Sequence, residues 1–280
     1  GRGNNSMIES LKELNRICQK PRYKEVGNWM VRHIVRDAAL PLTWLLLHTP
    51  ITANQVTAIS LLVGVSGILF FAYESPWFFL AGAILLQLWY LLDHVDGQIA
   101  RYRKTACLSG RFFDFLTHHV IHGVIFFSLG VYLFRRADLF FFLLWGFGTS
   151  TVMMIFNLIH DTKYKTFFEA LGKAGAFRVM AQSTTSSESH RGESPRPFLR
   201  RVFSWLHKSC EIHVLMNVLT LLALLQCFLP PSLDLRFMVF LFYGLAIPLI
   251  TIAKATHLIQ ARKIDQEFEA RFQTIDVGST

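Results

Sequence analysis

Apolar residues in this chain fall into long runs rather than short alternating ones. Several runs reach the roughly 20 residues that an α-helix needs to cross about 30 Å of hydrocarbon. The pattern predicts six spans, over residues 54–73, 77–101, 108–133, 139–160, 212–229 and 235–258. Short polar turns at 74–76, 135–138 and 230–234 join three of the pairs. One connection is long, 162–211, and its middle part, 182–197, is rich in Ser, Thr, Glu and Pro. Such a composition buries too little surface to fold, so part of this loop is expected to be disordered. An even number of spans places both ends of the chain on one side of the membrane, and no internal repeat is visible.

Residues 7–53 precede the first span and read as a cytoplasmic N-terminal segment. From Met7 to about Lys20 the sequence is polar and predicts a surface helix. Residues 27–49 mix apolar positions with Arg32, His33, Arg36 and Asp37. Trp29, Met30, Ile34, Leu40 and Trp44 form one apolar face, which fits an amphipathic helix lying in the interface. Crossing the bilayer would bring four ionisable groups into hydrocarbon. Residues 1–6 read as a remnant of cloning, and 261–280 as a cytoplasmic tail. The expected fold is therefore an all-α integral membrane protein: six transmembrane helices within 54–260, preceded by an amphipathic interfacial helix.

Composition agrees. Apolar residues make up 52% of the chain, charged residues 17%, and mean hydropathy is +0.36. A soluble domain carries about 25% charged residues. The net charge of +9 would suit nucleic acid if it formed one patch, but Lys and Arg collect at the ends of the apolar runs. The positive-inside rule makes those ends cytoplasmic. The reading is a multi-pass protein of a bacterial inner membrane or an endomembrane, with no nucleic-acid partner. Cys18, Cys107, Cys210 and Cys227 show no CxxC spacing, so neither a disulfide framework nor a zinc site is expected. No apolar signal segment follows Met7.

Residues 91–122 read LLDHVDGQIARYRKTACLSGRFFDFLTHHVIH. Asp93 and Asp96 are three apart and share a helix face. Counted from Trp77 at about 1.5 Å per residue, Asp93 lies roughly 24 Å along the second span, near its cytoplasmic edge. Asp114 comes two turns into the third span. Carboxylates at such depth are costly and usually functional. A divalent cation would offset their charge, and hard oxygen ligands favour Mg²⁺ or Mn²⁺. Gly97, Ala100 and Gly110 beside them are small enough to admit a second helix or a bulky phosphate ligand. Arg101 and the basic turn after it sit where diphosphate charge would lie. His94, next to Asp93, is expected to point off the carboxylate face.

This segment resembles the CDP-alcohol phosphotransferase family, whose signature is D-x2-D-G-x2-A-R-x8-G-x3-D-x3-D. Asp93, Asp96, Gly97, Ala100, Arg101, Gly110 and Asp114 match in identity and spacing. Thr52 to Thr57 (TANQVT) is similar to the family's T-P-N-x-[VI]-T entry to its first span, with Ala53 in place of Pro. The resemblance implies a membrane enzyme of polar-lipid synthesis. It would transfer a phosphatidyl or phospho-alcohol group from a CDP-linked donor, CDP-diacylglycerol by preference, to an acceptor hydroxyl with release of CMP. One reactant would be a lipid, two Mg²⁺ or Mn²⁺ ions would grip the diphosphate, and the protein would be a homodimer. Asn54, Thr57, Gly97, Ala100, Arg101, Cys107 and Gly110 would contact the donor. Asp93, Asp96, Asp114 and the residue at 118 would hold the metals and carry catalysis.

At that last position the pattern breaks, because the fourth aspartate is His118. An ordinary imidazole gains and loses a proton near neutral pH and can ligate Mn²⁺. His118 is therefore expected as general base and metal ligand, with the second metal held more weakly. Asp114, His118 and His122 form an i, i+4, i+8 stripe, with His119 adjacent. Asn157, His160, His213, Lys254 and His257 lie near the same membrane face, either lining an acceptor pocket or reaching toward water. The alternative reading is a catalytically impaired relative that binds nucleotide or lipid, or acts as a scaffold. A transporter would show broken helices and a repeat, and neither is visible.

Overall fold

A computed structural model of the chain describes residues 10–19, 28–174, 176–179, 198–230 and 232–275. The expected cloning remnant and the Ser- and Pro-rich stretch at 182–197 lie outside the described residues.

Among the described residues, five helices are long and apolar enough to cross a membrane. Four come in sequence: α3 (Ala53–Phe70), α4 (Pro76–Tyr102), α5 (Leu108–Ala137) and α6 (Phe140–Ala174). The fifth is α9 (Leu235–Gln260). The expected fifth span is shorter than its apolar run, because α8 covers only Ile212–Gln226. It counts as a sixth span only together with α7 (Phe198–Ser209), from which it is bent by 75°. The connection expected as a loop at 162–211 is also corrected. α6 continues unbroken to Ala174, and a strand β1 (Ala176–Val179) follows. This strand pairs antiparallel with β2 (Phe272–Ile275), which follows α10 (Lys263–Arg271) near the C-terminus. Lys163 of α6 bonds Glu267 of α10 at 3.0 Å, and Phe167 packs on Phe268 and Phe272. Polar Lys163 and Lys165 broke the apolar pattern, but they lie on a helix held by α10, not in a loop.

The membrane helices pack around Trp89, Phe126, Tyr132, Phe240 and Tyr243, all nearly or fully buried. α3 packs against α4 and α5, α5 against α6, and α6 against α9. Two crossings are made of glycine. A Cβ at Gly67 would lie 2.7 Å from the Gly82 carbonyl oxygen of α4. A Cβ at Gly130 would lie 2.8 Å from the Phe142 carbonyl oxygen of α6. Backbones approach this closely only without side chains.

The N-terminal segment differs from the expected surface arrangement. In α1 (Leu11–Cys18), Leu14 and Cys18 are fully buried. A π-helical turn, Val31–Val35, leads into α2 (Arg36–Leu47). The predicted apolar face divides in two. Leu40 is buried with Val35, Ala39 and Leu47, whereas Trp29, Ile34 and Trp44 are exposed. One side of α2 thus packs on protein, and the other carries the aromatic and aliphatic groups available to a bilayer interface. The buried side covers Leu92, Val95 and Ile99, the back of the α4 turn that bears the motif. Gln98 fixes the contact, accepting from Thr43 at 2.6 Å and donating to the Arg36 carbonyl at 3.1 Å.

The opposite end of the bundle is tied by Arg236, which donates to the Tyr73 and Glu74 carbonyls at 2.7 and 2.8 Å. Its guanidinium lies 3.6 Å over the Tyr132 ring, whose hydroxyl donates to Asp234 at 2.7 Å. Gly67→Ala is expected to destabilise the protein by about 1–3 kcal/mol through overpacking. Gly148→Ala, where a Cβ would meet nothing within 4 Å, should be neutral or slightly stabilising. Thermal unfolding of both variants in detergent checks the contrast.

Candidate active site

The end of α4, the start of α5 and the start of α3 surround a cleft of about 650 Å³. Thr52 begins α3 with a capping box: its backbone donates to the Gln55 side chain at 2.8 Å, and its hydroxyl accepts from the Gln55 amide at 3.3 Å. Cys107 begins α5, its Sγ accepting from the Gly110 amide at 3.4 Å. Two helix N-termini therefore open on one cleft, and helix N-termini favour anions. α4 closes through Lys104 in the left-handed region, φ 56°. This turn brings α5 back beside α4.

Glycines permit two of the approaches. A Cβ at Gly97 would lie 3.2 Å from Arg101 Nη1, so the guanidinium rests over Gly97. Arg101 Nε also donates to the Cys18 carbonyl of α1. A Cβ at Gly110 would lie 3.2 Å from Asn54 Oδ1. Arg36, Arg103 and Arg111 join Arg101 on the cleft wall. Arg103 donates to the Ile51 carbonyl and, at 2.7 Å, to the Thr49 carbonyl, which anchors the entry to α3.

Asp93, Asp96 and Asp114 line the same cleft. His118 Nε2 lies 2.8 Å from Asp93 Oδ1 and 3.5 Å from Asp114 Oδ1. The ligand atoms of these three residues lie within 4.8 Å of one another. Two carboxylates and an imidazole are a donor set that fits Mg²⁺ or, better, Mn²⁺. Asp96 is not in that group. Its Oδ2 accepts from Thr57 Oγ1 at 2.6 Å, and both residues are buried. The four expected metal ligands thus divide into a cluster of three and a fourth oriented by α3, on the same cleft.

Of the expected donor contacts, Asn54, Thr57, Gly97, Ala100, Arg101, Cys107 and Gly110 all line the cleft. His94 is a correction: it lines the cleft too, with Nδ1 3.7 Å from Asp93 Oδ2 and 2.8 Å from the Tyr90 carbonyl. The histidine stripe is divided among different partners. His122 bonds Asn157 through Nδ1, and His119 Nε2 lies 3.0 Å from Asp161. Lys254 Nζ lies 4.0 Å over the Phe156 ring, and His213 meets Glu211 at 3.3 Å. Arg36 carried no motif signal; the packing of α2 on α4, with the Gln98 contact within it, brings it to the cleft.

The family profile described as CDP-alcohol phosphatidyltransferase matches residues 50–206, the stretch that holds every cleft residue named above except Arg36. The chain belongs to this family. A curated relative, the bifunctional IPC transferase and DIPP synthase of Thermococcus kodakarensis, is 30% identical over 116 residues. The match covers 41% of this chain and 26% of the relative, so the chain spans about a quarter of that protein's length. Members of this family share the carboxylate signature, and here it forms the wall described above. Asp93→Asn and Asp114→Asn are each expected to weaken Mn²⁺ binding by at least about tenfold, the loss that even an outer contact to a ligand causes. Electron paramagnetic resonance titration of free Mn²⁺ measures it; unchanged affinity in both variants would remove the cluster from metal binding.

Proposed function

We propose that the protein transfers a phosphatidyl or phospho-alcohol group from a CDP-linked donor to an acceptor hydroxyl, releasing CMP. The observation that carries this reading is the meeting, in one cleft, of Asp93, Asp96 and Asp114 with two helix N-termini and four arginines. Arginines and helix termini suit a diphosphate, while carboxylates would repel it unless a cation intervened. A bound Mg²⁺ or Mn²⁺, held by Asp93 and Asp114 with Asp96 alongside and His118 beside it, would neutralise diphosphate charge and polarise the reacting phosphorus. The second metal of the family's pair would gain least from the imidazole at 118, which brings no negative charge.

Arg101 and the amides at the starts of α3 and α5 bind and orient the donor. The acceptor oxygen bonds to the β-phosphorus as the bond to the bridging oxygen breaks, and CMP leaves with the electron pair. The acceptor proton passes to His118 Nε2. Nε2 takes it only while it is unprotonated and its lone pair is not given to the metal, so His118 acts as base with the carboxylates holding the metal. The imidazolium so formed is held by Asp93 and Asp114. Positioning and charge neutralisation supply the rest, as in other phosphoryl transfers. With basic residues gathered around the cleft, we place it on the cytoplasmic face, where a lipid and a soluble reactant can meet. CDP-diacylglycerol is the proposed donor.

The His118 substitution favours a second reading, a relative that binds the nucleotide without turnover. One assay separates the two. The purified protein is offered CDP-diacylglycerol or soluble CDP-alcohols, a panel of acceptors, and Mg²⁺ or Mn²⁺, and CMP and lipid products are followed. Metal-dependent CMP release is expected, with His118→Ala reduced about 10²–10⁴-fold as for loss of a general base, and His118→Asp less impaired. Full activity of His118→Ala would end the base assignment. Metal-dependent CDP binding with no turnover of any pair would favour the second reading.

A further inference from the structure

α8 is too short to cross a bilayer alone. Its 15 residues rise about 22 Å, against about 30 Å of hydrocarbon. Its C-terminal end is fixed where α4 begins, Cys227 Sγ lying 3.7 Å from the Pro76 carbonyl oxygen. The α7–α8 elbow, bent by 75°, therefore lies below the level at which a full span would end, on the side of the bundle that holds the cleft.

Between α7, α8 and α9 is a second cavity, of about 510 Å³, which shares no lining residue with the cleft. Its volume is in the range of small-molecule sites, about 300–1,000 Å³. Val214, Val218 and Leu222 of α8 face Met238, Val239 and Phe242 of α9 across it. Trp205 of α7 lines it as well, its ring edge-on to Phe242 with centroids 6.1 Å apart. Trp205, Met238 and Phe242 are exposed, so the cavity opens on the side that meets the bilayer.

The polar groups of the cavity are few. Ser209 Oγ donates to the Leu206 carbonyl at 2.7 Å, and the Tyr243 hydroxyl donates to the Ser209 carbonyl at 2.9 Å. Lys208, at the elbow, is exposed. Among the described residues no acidic side chain pairs with it, and nearby Glu211 meets His213 at 3.3 Å. Arg201, Trp205 and Lys208 share one exposed face of α7 at i, i+4 and i+7.

We propose that this cavity binds a phospholipid of the surrounding bilayer that carries a net negative headgroup, with one acyl chain between α8 and α9 and the phosphate at Lys208. The walls suit an occupant that is apolar except at one anionic end. An ammonium at a sunken elbow is costly without a counter-charge, and a lipid phosphate drawn to the elbow supplies one. A second copy of the chain fits less well, because an isologous contact sets this basic face of α7 against itself. No motif carboxylate lines the cavity, so the lipid is bound there and not consumed. The inference is independent of the transferase reading.

The test places the full-length protein in phosphatidylcholine vesicles and adds dibrominated phosphatidylglycerol or dibrominated phosphatidylcholine as quencher of tryptophan fluorescence. Subtracting the signal of Trp205→Phe isolates Trp205. The anionic quencher is expected to act on Trp205 at about fivefold lower mole fraction than the zwitterionic one, the order for one basic residue at an anionic lipid surface. Lys208→Gln should bring the two lipids to parity, and Val218→Phe, which fills the cavity, should weaken quenching by both. Equal quenching by the two lipids in the wild type, or a preference that survives Lys208→Gln, overturns the proposal. So does failure of either lipid to reach Trp205; a dimer that Val218→Phe converts to a monomer, measured by light scattering, then makes a second copy the occupant. Should Val218→Phe fail to fold, Lys208→Gln, a change at an exposed position, still decides.

Discussion

Asp93 is drawn toward Asp114 by His118, and the geometry of the catalytic end depends on that contact. Two carboxylates on neighbouring apolar helices repel each other strongly where water is scarce. Nε2 of His118, on α5, lies 2.8 Å from Asp93 across the α4–α5 gap and 3.5 Å from Asp114 one turn back on its own helix. The two helices must therefore run side by side at this level, and the tight turn through Lys104 lets them do so. α3 then wedges its capped N-terminus into the same corner, where Thr57 orients Asp96.

The back of this corner is closed by protein, not lipid. α1 and α2 cover Leu92, Val95 and Ile99, and Gln98 ties α4 to α2. Arg101 is held by the Cys18 carbonyl, so its guanidinium lies across Gly97 in the cleft. These contacts fix side chains that would otherwise rotate at a helix end. Far from the site, Arg236, Tyr132 and Asp234 lock α5, α9 and the α3–α4 turn together. Anchors at both ends of the bundle allow little relative sliding of α4 and α5, as the proposed metal and phosphate binding would require.

Much of this was legible in the chain because membrane folding leaves few options. A backbone in hydrocarbon must be helical or close into a barrel, and apolar runs of about 20 residues suit only the helix, so they located the helices. The seven matched motif residues all reached one cleft because their spacing follows two helices joined by a tight turn. What was not legible depends on partners distant in sequence. Lys163 and Lys165 ended the apolar run without ending α6, since α10 supplies Glu267. The apolar positions of α2 gave no sign of which side meets α4, because burial of Leu40 and exposure of Trp44 suit the same helical spacing. His94 was assigned away from the carboxylates by counting along one helix. The Tyr90 carbonyl holds its ring back toward Asp93 instead. Cys107 was expected only as a donor contact, yet its sulfur caps α5, a role the motif alone does not reveal.

His118 changes what holds the site together. A carboxylate at 118 would add a third negative group to Asp93 and Asp114, and the cluster would cohere only around cations. An imidazole N–H can bond the pair directly, so the carboxylates converge in the protein alone. The same nitrogen must be free of its proton to serve as ligand or base. Assembly of the site and readiness for reaction are therefore opposite states of one atom, and metal binding, which needs deprotonated ligands, links them. On the proposed reading, a site that would need cations to form is replaced by one whose side chains already converge and that would need a cation to react.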